Sequence, residues 1–144
     1  MRHTIALLTV LAAGLVGGQA AEPETKPAAA QKQSSIQNIG VTEFEKLRSD
    51  KQIVVLDVRT PKEYAAGHIP GSVLIDFNGE DFDKKVAALD TNKTYLVHCA
   101  IGGRSAKACA KMSQMHFGHL YNLEGGMKAW EKQGNKPERL DDKR

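Results

Sequence analysis

The segment 94–105 has the sequence T-Y-L-V-H-C-A-I-G-G-R-S and joins a strand pattern to a helix pattern. Thr94 to His98 is rich in residues that favour buried strands. Arg104 to Phe117 is predicted to be a helix, with small residues that allow close approach to a sheet. In parallel α/β sheets, ligands bind just beyond the carboxyl ends of the strands. The loop between these two elements is therefore where chemistry is expected.

Strand and helix signals alternate on both sides of this segment. A capping box predicts a helix start at Thr42, with Glu45 three residues on. A second box, Thr60 with Glu63, starts a short helix that Gly67 ends. Further strands are predicted at 53–58, 72–77 and 120–123, and further helices at 80–89 and 127–132. This alternation predicts an α/β fold, a central parallel sheet with helices on both faces.

The chain of 144 residues supports one globular domain, predicted at residues 36–134. Residues 1–20 have a basic start, an uncharged apolar run and small residues before Ala20, which is the layout of a secretory signal peptide. The apolar run is too short for a membrane span of about 20 residues. We therefore predict cleavage after Ala20, with Ala21 as second choice, and a periplasmic location without membrane attachment afterwards. Residues 21–35 are predicted to be a disordered linker, and residues 135–144 a frayed polar C-terminal tail.

The composition excludes several classes of protein. Lys and Arg number 20 against 17 Asp and Glu, and a net charge of +3 is too small to indicate a nucleic-acid partner. Two cysteines are too few for a disulfide scaffold or a four-cysteine zinc site. No metal is predicted, because no zinc pattern fits the spacing of the candidate ligands His98, Cys99, Cys109, His116 and His119.

The glycine-rich loop itself indicates nucleophilic chemistry. Cys99 leaves the predicted strand, and Gly102 and Gly103 allow positive φ angles, so that backbone N–H groups can converge on the thiol. A cysteine at a helix N-terminus has a lowered pKa, and Arg104 adds a cation suited to an oxyanion. The alternative, a buried structural cysteine, is common for single cysteines. The order strand, cysteine, glycine loop, arginine, helix favours the functional interpretation.

Three motifs in this order resemble the single-domain rhodanese family of thiosulfate sulfurtransferases. They are L-D-V-R-T-P-K-E-Y-A-A-G-H-I-P-G-S at 56–72, H-C-A-I-G-G-R-S at 98–105 and L-E-G-G-M-K-A-W at 123–130. With its predicted signal peptide, the chain is similar to the exported rhodaneses, including the phage-shock periplasmic type. The resemblance implies a rhodanese-like α/β fold and an enzyme that needs no metal or organic cofactor.

The resemblance also implies a catalytic cycle. The Cys99 thiolate would take the outer sulfur of thiosulfate or a similar small anionic donor and become a persulfide. A thiophilic acceptor, namely cyanide or a thiol, including a protein thiol, would then remove that sulfur. Arg59 would help to attract the donor. The other expected substrate-binding residues share the loop: Ala100, Ile101, Gly102, Gly103, Arg104 and Ser105.

Three alternatives have different signatures. Arsenate reductases and phosphatases of this fold have five residues between cysteine and arginine, whereas Cys99 and Arg104 are separated by four. A non-catalytic rhodanese-like binding module is disfavoured by the intact Cys99, Gly102 and Arg104. Thiol–disulfide chemistry is disfavoured because a helix would hold Cys109 roughly 10–15 Å from Cys99, beyond the ~7 Å limit between the Cα atoms of a disulfide.

Other polar and aromatic residues near the motifs are expected to be structural. Asp57 is expected to brace the loops through an Asp–Arg network, a role equally open to Arg59. His68 is expected to hold its turn, and Trp130 to pack the last helix on the core. His98 should face away from Cys99, because neighbouring side chains of a strand point to opposite faces.

Overall fold

The computed structural model describes residues 34–143 of the chain. The predicted signal peptide, 1–20, lies outside the described residues, as does the predicted linker except for Ser34 and Ser35. Among the residues that are described, no helix is long and apolar enough to cross a membrane.

A five-stranded parallel sheet forms the centre of the domain. Its strands are β1 Ser35–Ile39, β2 Val54–Asp57, β3 Val73–Leu74, β4 Thr94–His98 and β5 His119–Leu123. They lie in the order β1-β5-β4-β2-β3, and each neighbouring pair is parallel. The predicted parallel sheet is thus confirmed. Since β4 is the middle strand, the residue that follows it emerges at the centre of the carboxyl edge.

Helices cover both faces of this sheet, as predicted. They are α1 Val41–Arg48, α2 Pro61–Ala66, α3 Phe82–Ala87, α4 Gly103–Gln114 and α5 Gly126–Lys132. On one face, α3 and α4 pack on a core that includes Cys99 and Cys109. On the other face, α1 and α5 contribute Phe44, Met127 and Trp130 to a second core. The alternation of apolar residues along β4 supplies both cores, because successive side chains point to opposite faces.

The two predicted capping boxes have different outcomes. At α2, Thr60 accepts a hydrogen bond from the Glu63 N–H while the Glu63 carboxylate accepts one from the Thr60 N–H, so this box is confirmed. The box at Thr42 is wrong, because α1 begins one residue earlier at Val41 and has no side-chain cap. Glu45 instead accepts hydrogen bonds from Arg48 and from the Trp130 indole. Gly40 is the N-cap, so Thr42 is the second residue of the helix.

Up to residue 143, where the described part of the chain ends, the C-terminal segment is not frayed, contrary to the prediction for residues 135–144. Glu138 and His68 exchange two backbone hydrogen bonds of 2.9 Å in an antiparallel bridge. A 3₁₀ turn, Leu140–Lys143, follows. The prediction relied on the polar composition of this segment, which offers few apolar side chains to bury. The segment is ordered instead by the backbone hydrogen bonds between Glu138 and His68.

Candidate active site

The loop between β4 and α4 turns sharply at Gly102. This residue has φ +100° and lies immediately before α4. A Cβ atom here would lie 3.3 Å from the Gly125 nitrogen and 3.4 Å from the Leu123 carbonyl oxygen. Positive φ and close backbone contact both favour glycine at this position. The turn brings the N-terminus of α4 back over the end of β4, where Cys99 lies.

Polar groups of this loop and of α4 surround the Cys99 thiol. The Gly102 N–H donates a hydrogen bond to Sγ over 3.1 Å. The Ser105 hydroxyl oxygen lies 3.4 Å from Sγ and 3.1 Å from the Gly102 carbonyl oxygen, so its one proton can be donated to either. Cys99 is only 1% exposed and Ser105 is fully buried. The thiol is therefore shielded from bulk water on the side where these donors meet it.

These donors stabilise the thiolate. Burial raises the pKa of Cys99, but hydrogen bonds from the Ser105 hydroxyl and from the N–H groups of Ser105, Ile101 and Gly102 lower it, and the net pKa lies below the ordinary value. Hydrogen bonds to the charged form of an acid favour that form. This agrees with the acidified nucleophile expected from the sequence.

The Arg104 guanidinium is engaged by Glu63 of α2. Two parallel hydrogen bonds join them, Nη1 to Oε2 at 2.9 Å and Nη2 to Oε1 at 2.7 Å. The pair lowers the pKa of Glu63 to about 2. Glu63 also completes the capping box at Thr60, so one carboxylate orders the start of α2 and ties it to the start of α4. The sequence predicted Arg104 as a cation for an oxyanion and gave no indication of this partner 41 residues away.

Arg59 takes part in the bracing network that the sequence left open for it. Its guanidinium is nearly buried and donates to both carboxylate oxygens of Asp57 and to the Gly67 carbonyl. The Asp57 carboxylate also accepts the Arg59 backbone N–H. Because its Nε and Nη2 groups are already hydrogen-bonded, Arg59 is better suited to bracing the loops than to attracting an anionic sulfur donor.

His98 and Cys99 point to opposite faces, as predicted. His98 meets Phe44 edge to face on the α1 side, while Cys99 lies in the core on the α4 side. Burial lowers the pKa of His98 to about 4, although Asp57, 3.6 Å from its Nε2, acts in the opposite direction. His98 is therefore neutral at neutral pH and does not face the thiol as a base.

His68 and Trp130 also occupy structural positions. His68 stacks on Tyr64 with ring centroids 3.9 Å apart, and its Nδ1 lies 3.0 Å from the Tyr64 carbonyl. Trp130 is 1% exposed and packs in the core between α1, α5 and the sheet. Both placements match the expected holding and packing roles.

The remaining loop residues differ in exposure. Ile101 is 69% exposed, and Gly103 is the first residue of α4. An open groove of about 280 Å³ lies between Ile101 and Gly102 on one side and the carboxyl ends of β1 and β5 on the other. A larger cleft of about 440 Å³ lies at the amino ends of β2 and β4, far from Cys99 along both strands. The groove that borders the loop is the better placed of the two for a reacting molecule.

Contacts from α5 to the loop were missed by the sequence interpretation. The Met127 N–H donates to the Cys99 carbonyl over 2.8 Å, and the Lys128 N–H donates to the Ala100 carbonyl over 3.0 Å. The sequence feature that could have indicated them is the pair Gly125 and Gly126 at the start of this helix. Within residues 34–143, no group of three His, Cys, Asp or Glu side chains is placed to share a metal ion.

The parallel sheet and its cysteine loop define an α/β domain with one acidified thiol at the carboxyl end of the middle strand. The model of the rhodanese-like domain matches residues 40–133, and the chain belongs to this family. The chain is 38% identical over 87 residues to the putative sulfurtransferase YtwF of Bacillus subtilis, a match that covers 60% of this chain and 82% of that protein. It is 37% identical to the thiosulfate sulfurtransferase GlpE of Pseudomonas paraeruginosa, over 67% of this chain and 84% of that protein.

A similar fold occurs in a rhodanese-related protein from Thermoplasma volcanium. The two structures superpose with a TM-score of 0.63 at 31% sequence identity, covering 71% of this chain and 97% of the other. This likeness confirms the predicted rhodanese-like fold class.

Proposed function

We propose that this protein is a sulfurtransferase that moves sulfane sulfur from thiosulfate or a similar anionic donor to a thiophilic acceptor through a Cys99 persulfide. The observation that carries the proposal is the acidified Cys99 thiol, whose Sγ accepts the Gly102 N–H in a loop rich in N–H donors. The names of the two relatives, putative sulfurtransferase for YtwF and thiosulfate sulfurtransferase for GlpE, support the same activity.

The chemistry proceeds in two displacements. The Cys99 thiolate attacks the outer sulfur of thiosulfate, the sulfur–sulfur bond of the donor breaks, and sulfite leaves with the bonding electron pair. The terminal sulfur of the resulting persulfide is then attacked by cyanide or a thiolate, which restores the Cys99 thiolate. Covalent catalysis of this kind divides one transfer into two steps and gives ping-pong kinetics. The N–H groups that meet Sγ would stabilise the anionic persulfide between the steps.

Phosphatase or arsenate reductase activity is the second candidate, and the loop length disfavours it. Four residues between Cys99 and Arg104 give a smaller cradle than the five of those enzymes. A non-catalytic binding module would not need the lowered pKa of Cys99.

The test is mass spectrometry of the protein after thiosulfate treatment. We expect one added sulfur atom on the Cys99 peptide, its loss on addition of cyanide, and neither in Cys99→Ser. Modification of the Cys109 peptide alone, or efficient hydrolysis of an aryl phosphate without thiosulfate turnover, would contradict the proposal. A comparison of cyanide, small thiols and a reduced protein thiol as second substrate identifies the acceptor.

We propose further that the chain is exported to the periplasm and loses residues 1–20. The support is the basic start, apolar run and small residues at the predicted cleavage site. The intact mass of the protein from a periplasmic extract should correspond to a chain that begins at Ala21. A mass that still includes Met1 would refute this part of the proposal.

A further inference from the structure

The turn at Gly125 and Gly126, which begins α5, packs directly on the backbone of the cysteine loop. Gly126 has φ +54°, and a Cβ atom on it would lie 2.4 Å from the Cys99 carbonyl oxygen and 2.8 Å from the Ile101 nitrogen. Distances this short do not occur for real Cβ atoms, and all of these contacts are backbone atoms that cannot rotate away. The loop and the turn therefore fit together only because residue 126 has no side chain.

This close approach allows α5 to hold two loop carbonyls. The Met127 N–H donates to the Cys99 carbonyl and the Lys128 N–H to the Ala100 carbonyl. Both N–H groups belong to the first turn of α5, where they have no acceptor within the helix. The two hydrogen bonds therefore fix the orientation of two successive peptide groups of the loop.

The orientation of those peptides determines where their N–H groups point. In a trans peptide the N–H is directed opposite to the C=O. With the carbonyls of Cys99 and Ala100 drawn to α5, the N–H groups of Ala100 and Ile101 are turned away from α5. The Ile101 N–H is one of the groups that stabilise the Cys99 thiolate. The turn thus acts on the thiol through the backbone and does not itself touch Sγ in any described contact.

We infer that Gly126 is a positioning residue for the reaction. It brings the first turn of α5 close enough to hold the Cys99 and Ala100 carbonyls, and so aims the Ile101 N–H at the sulfur. Gly126 binds no substrate and takes no proton. The inference rests on the proposed function for its catalytic meaning, but the geometry on which it depends concerns the thiol alone.

The test compares three glycines that all have positive φ. Gly126→Ala introduces the Cβ that meets the loop, whereas Gly71→Ala and Gly134→Ala introduce one into open space at φ +79° and +89°. The two controls therefore carry the backbone strain without the contact. The measurement is the rate of iodoacetamide alkylation of the Cys99 peptide as a function of pH, followed by mass spectrometry.

We expect Gly126→Ala to move the alkylation midpoint of Cys99 upward by about one pH unit, which is a tenfold loss of thiolate below the midpoint. Both control variants should keep the midpoint of the unchanged protein. Sulfur transfer should fall at least tenfold in kcat for Gly126→Ala only. An unchanged Cys99 midpoint in folded Gly126→Ala, or an equal shift in the controls, would overturn the inference.

A second variant keeps the inference testable if Gly126→Ala does not fold. Lys128→Pro removes the N–H that holds the Ala100 carbonyl, at the third residue of α5, where this N–H has no acceptor within the helix. Lys128 is exposed, so no core packing is lost. The same upward shift is expected, and its absence in folded protein would overturn the inference. Failure of the proposed function has a different signature, because the unchanged protein would then form no persulfide while its alkylation profile still depended on Gly126.

Discussion

Two cysteines ten positions apart have opposite properties because their surroundings differ. Cys99 receives N–H and hydroxyl donors at the end of a strand, and its pKa is lowered. Cys109 lies fully buried in the apolar core beneath α4, and burial raises its pKa to about 12. Neither is in a disulfide. The residue type alone does not distinguish an acidified cysteine from a core cysteine. The difference lies in the hydrogen-bond donors around the sulfur atom.

This contrast predicts selective alkylation of the folded protein. With a pKa of about 12, Cys109 has a thiolate fraction on the order of 10⁻⁵ at pH 7. We therefore expect iodoacetamide at pH 7 to label the Cys99 peptide and to leave the Cys109 peptide unmodified until urea unfolds the chain. Equal labelling of the two peptides in the folded protein would show that the difference in pKa is not real.

Ser105 is expected to contribute to the acidity of Cys99 through its hydroxyl group. Ser105→Ala removes the oxygen 3.4 Å from Sγ and should raise the alkylation midpoint of Cys99 by up to about one pH unit. Ser113→Ala is the matched control, because its hydroxyl bonds only to the Ala110 carbonyl of the same helix. The hydroxyl makes no contribution if both variants give the same alkylation profile.

His98 predicts a loss of stability in mild acid. The folded pKa of His98, about 4, lies below the ordinary histidine value of 6.5, so the unfolded chain binds the extra proton between these two values. The free energy of unfolding should therefore fall as the pH drops from about 6.5 to about 4, by at most about 3 kcal/mol. In His98→Gln this part of the pH dependence should disappear, and in the exposed control His119→Gln it should remain. Urea unfolding from pH 4 to 7 measures it, and identical slopes for all three proteins would exclude His98 as the cause.

At the scale of elements, local signals were predictable and distant contacts were not. The burial of β4 and the capping box of α2 follow from neighbouring residues, so the sequence predicted both. β1 was missed, because residues 36–38 are exposed and the strand forms only by pairing with β5, 84 positions away. The partner of Arg104 was missed for the same reason. The loop chemistry was predictable because its donors lie within six residues of Cys99.

The Glu63–Arg104 pair should couple α2 to α4. The Glu63 and Arg104 side chains are 33% and 26% exposed, so we expect a coupling free energy of about 1 kcal/mol at neutral pH. Because the pKa of Glu63 is depressed from 4.5 to about 2, this stabilisation is fully present above pH 4.5 and is lost as the pH falls toward 2. A double-mutant cycle of urea unfolding with Glu63→Gln and Arg104→Gln measures the coupling.

The glutamine at position 63 keeps the capping box, so the cycle isolates the ion pair. The more exposed pair of Lys111 with Asp83 joins α4 to α3 and serves as the control, with an expected coupling near zero. Equal couplings for the two pairs would mean that the fork geometry at Glu63 gives no advantage over a surface contact.

At the scale of the whole domain, a series of contacts connects the end of β2 to the C-terminal segment. Asp57 holds Arg59, which donates to the Gly67 carbonyl, and the next residue, His68, forms the backbone bridge to Glu138. The Glu138 carboxylate also lies 3.6 Å from His68 Nε2. The last described residues therefore support the turn between α2 and β3, while the thiol receives its donors from α4 and its own loop.

This separation predicts that stability and thiol acidity respond differently to truncation. A chain that ends at Gly134 loses the two backbone hydrogen bonds to His68 and should be less stable by about 2 kcal/mol in urea unfolding. A chain that ends at Arg139 keeps the bridge and should retain most of the stability. Both truncated proteins should keep the alkylation midpoint of Cys99, since no donor to Sγ has been removed. If truncation at Gly134 causes no loss of stability, the segment after Gly134 contributes nothing to the fold, as its composition had suggested. If truncation shifts the alkylation midpoint of Cys99, the turn at His68 also orders the cysteine loop.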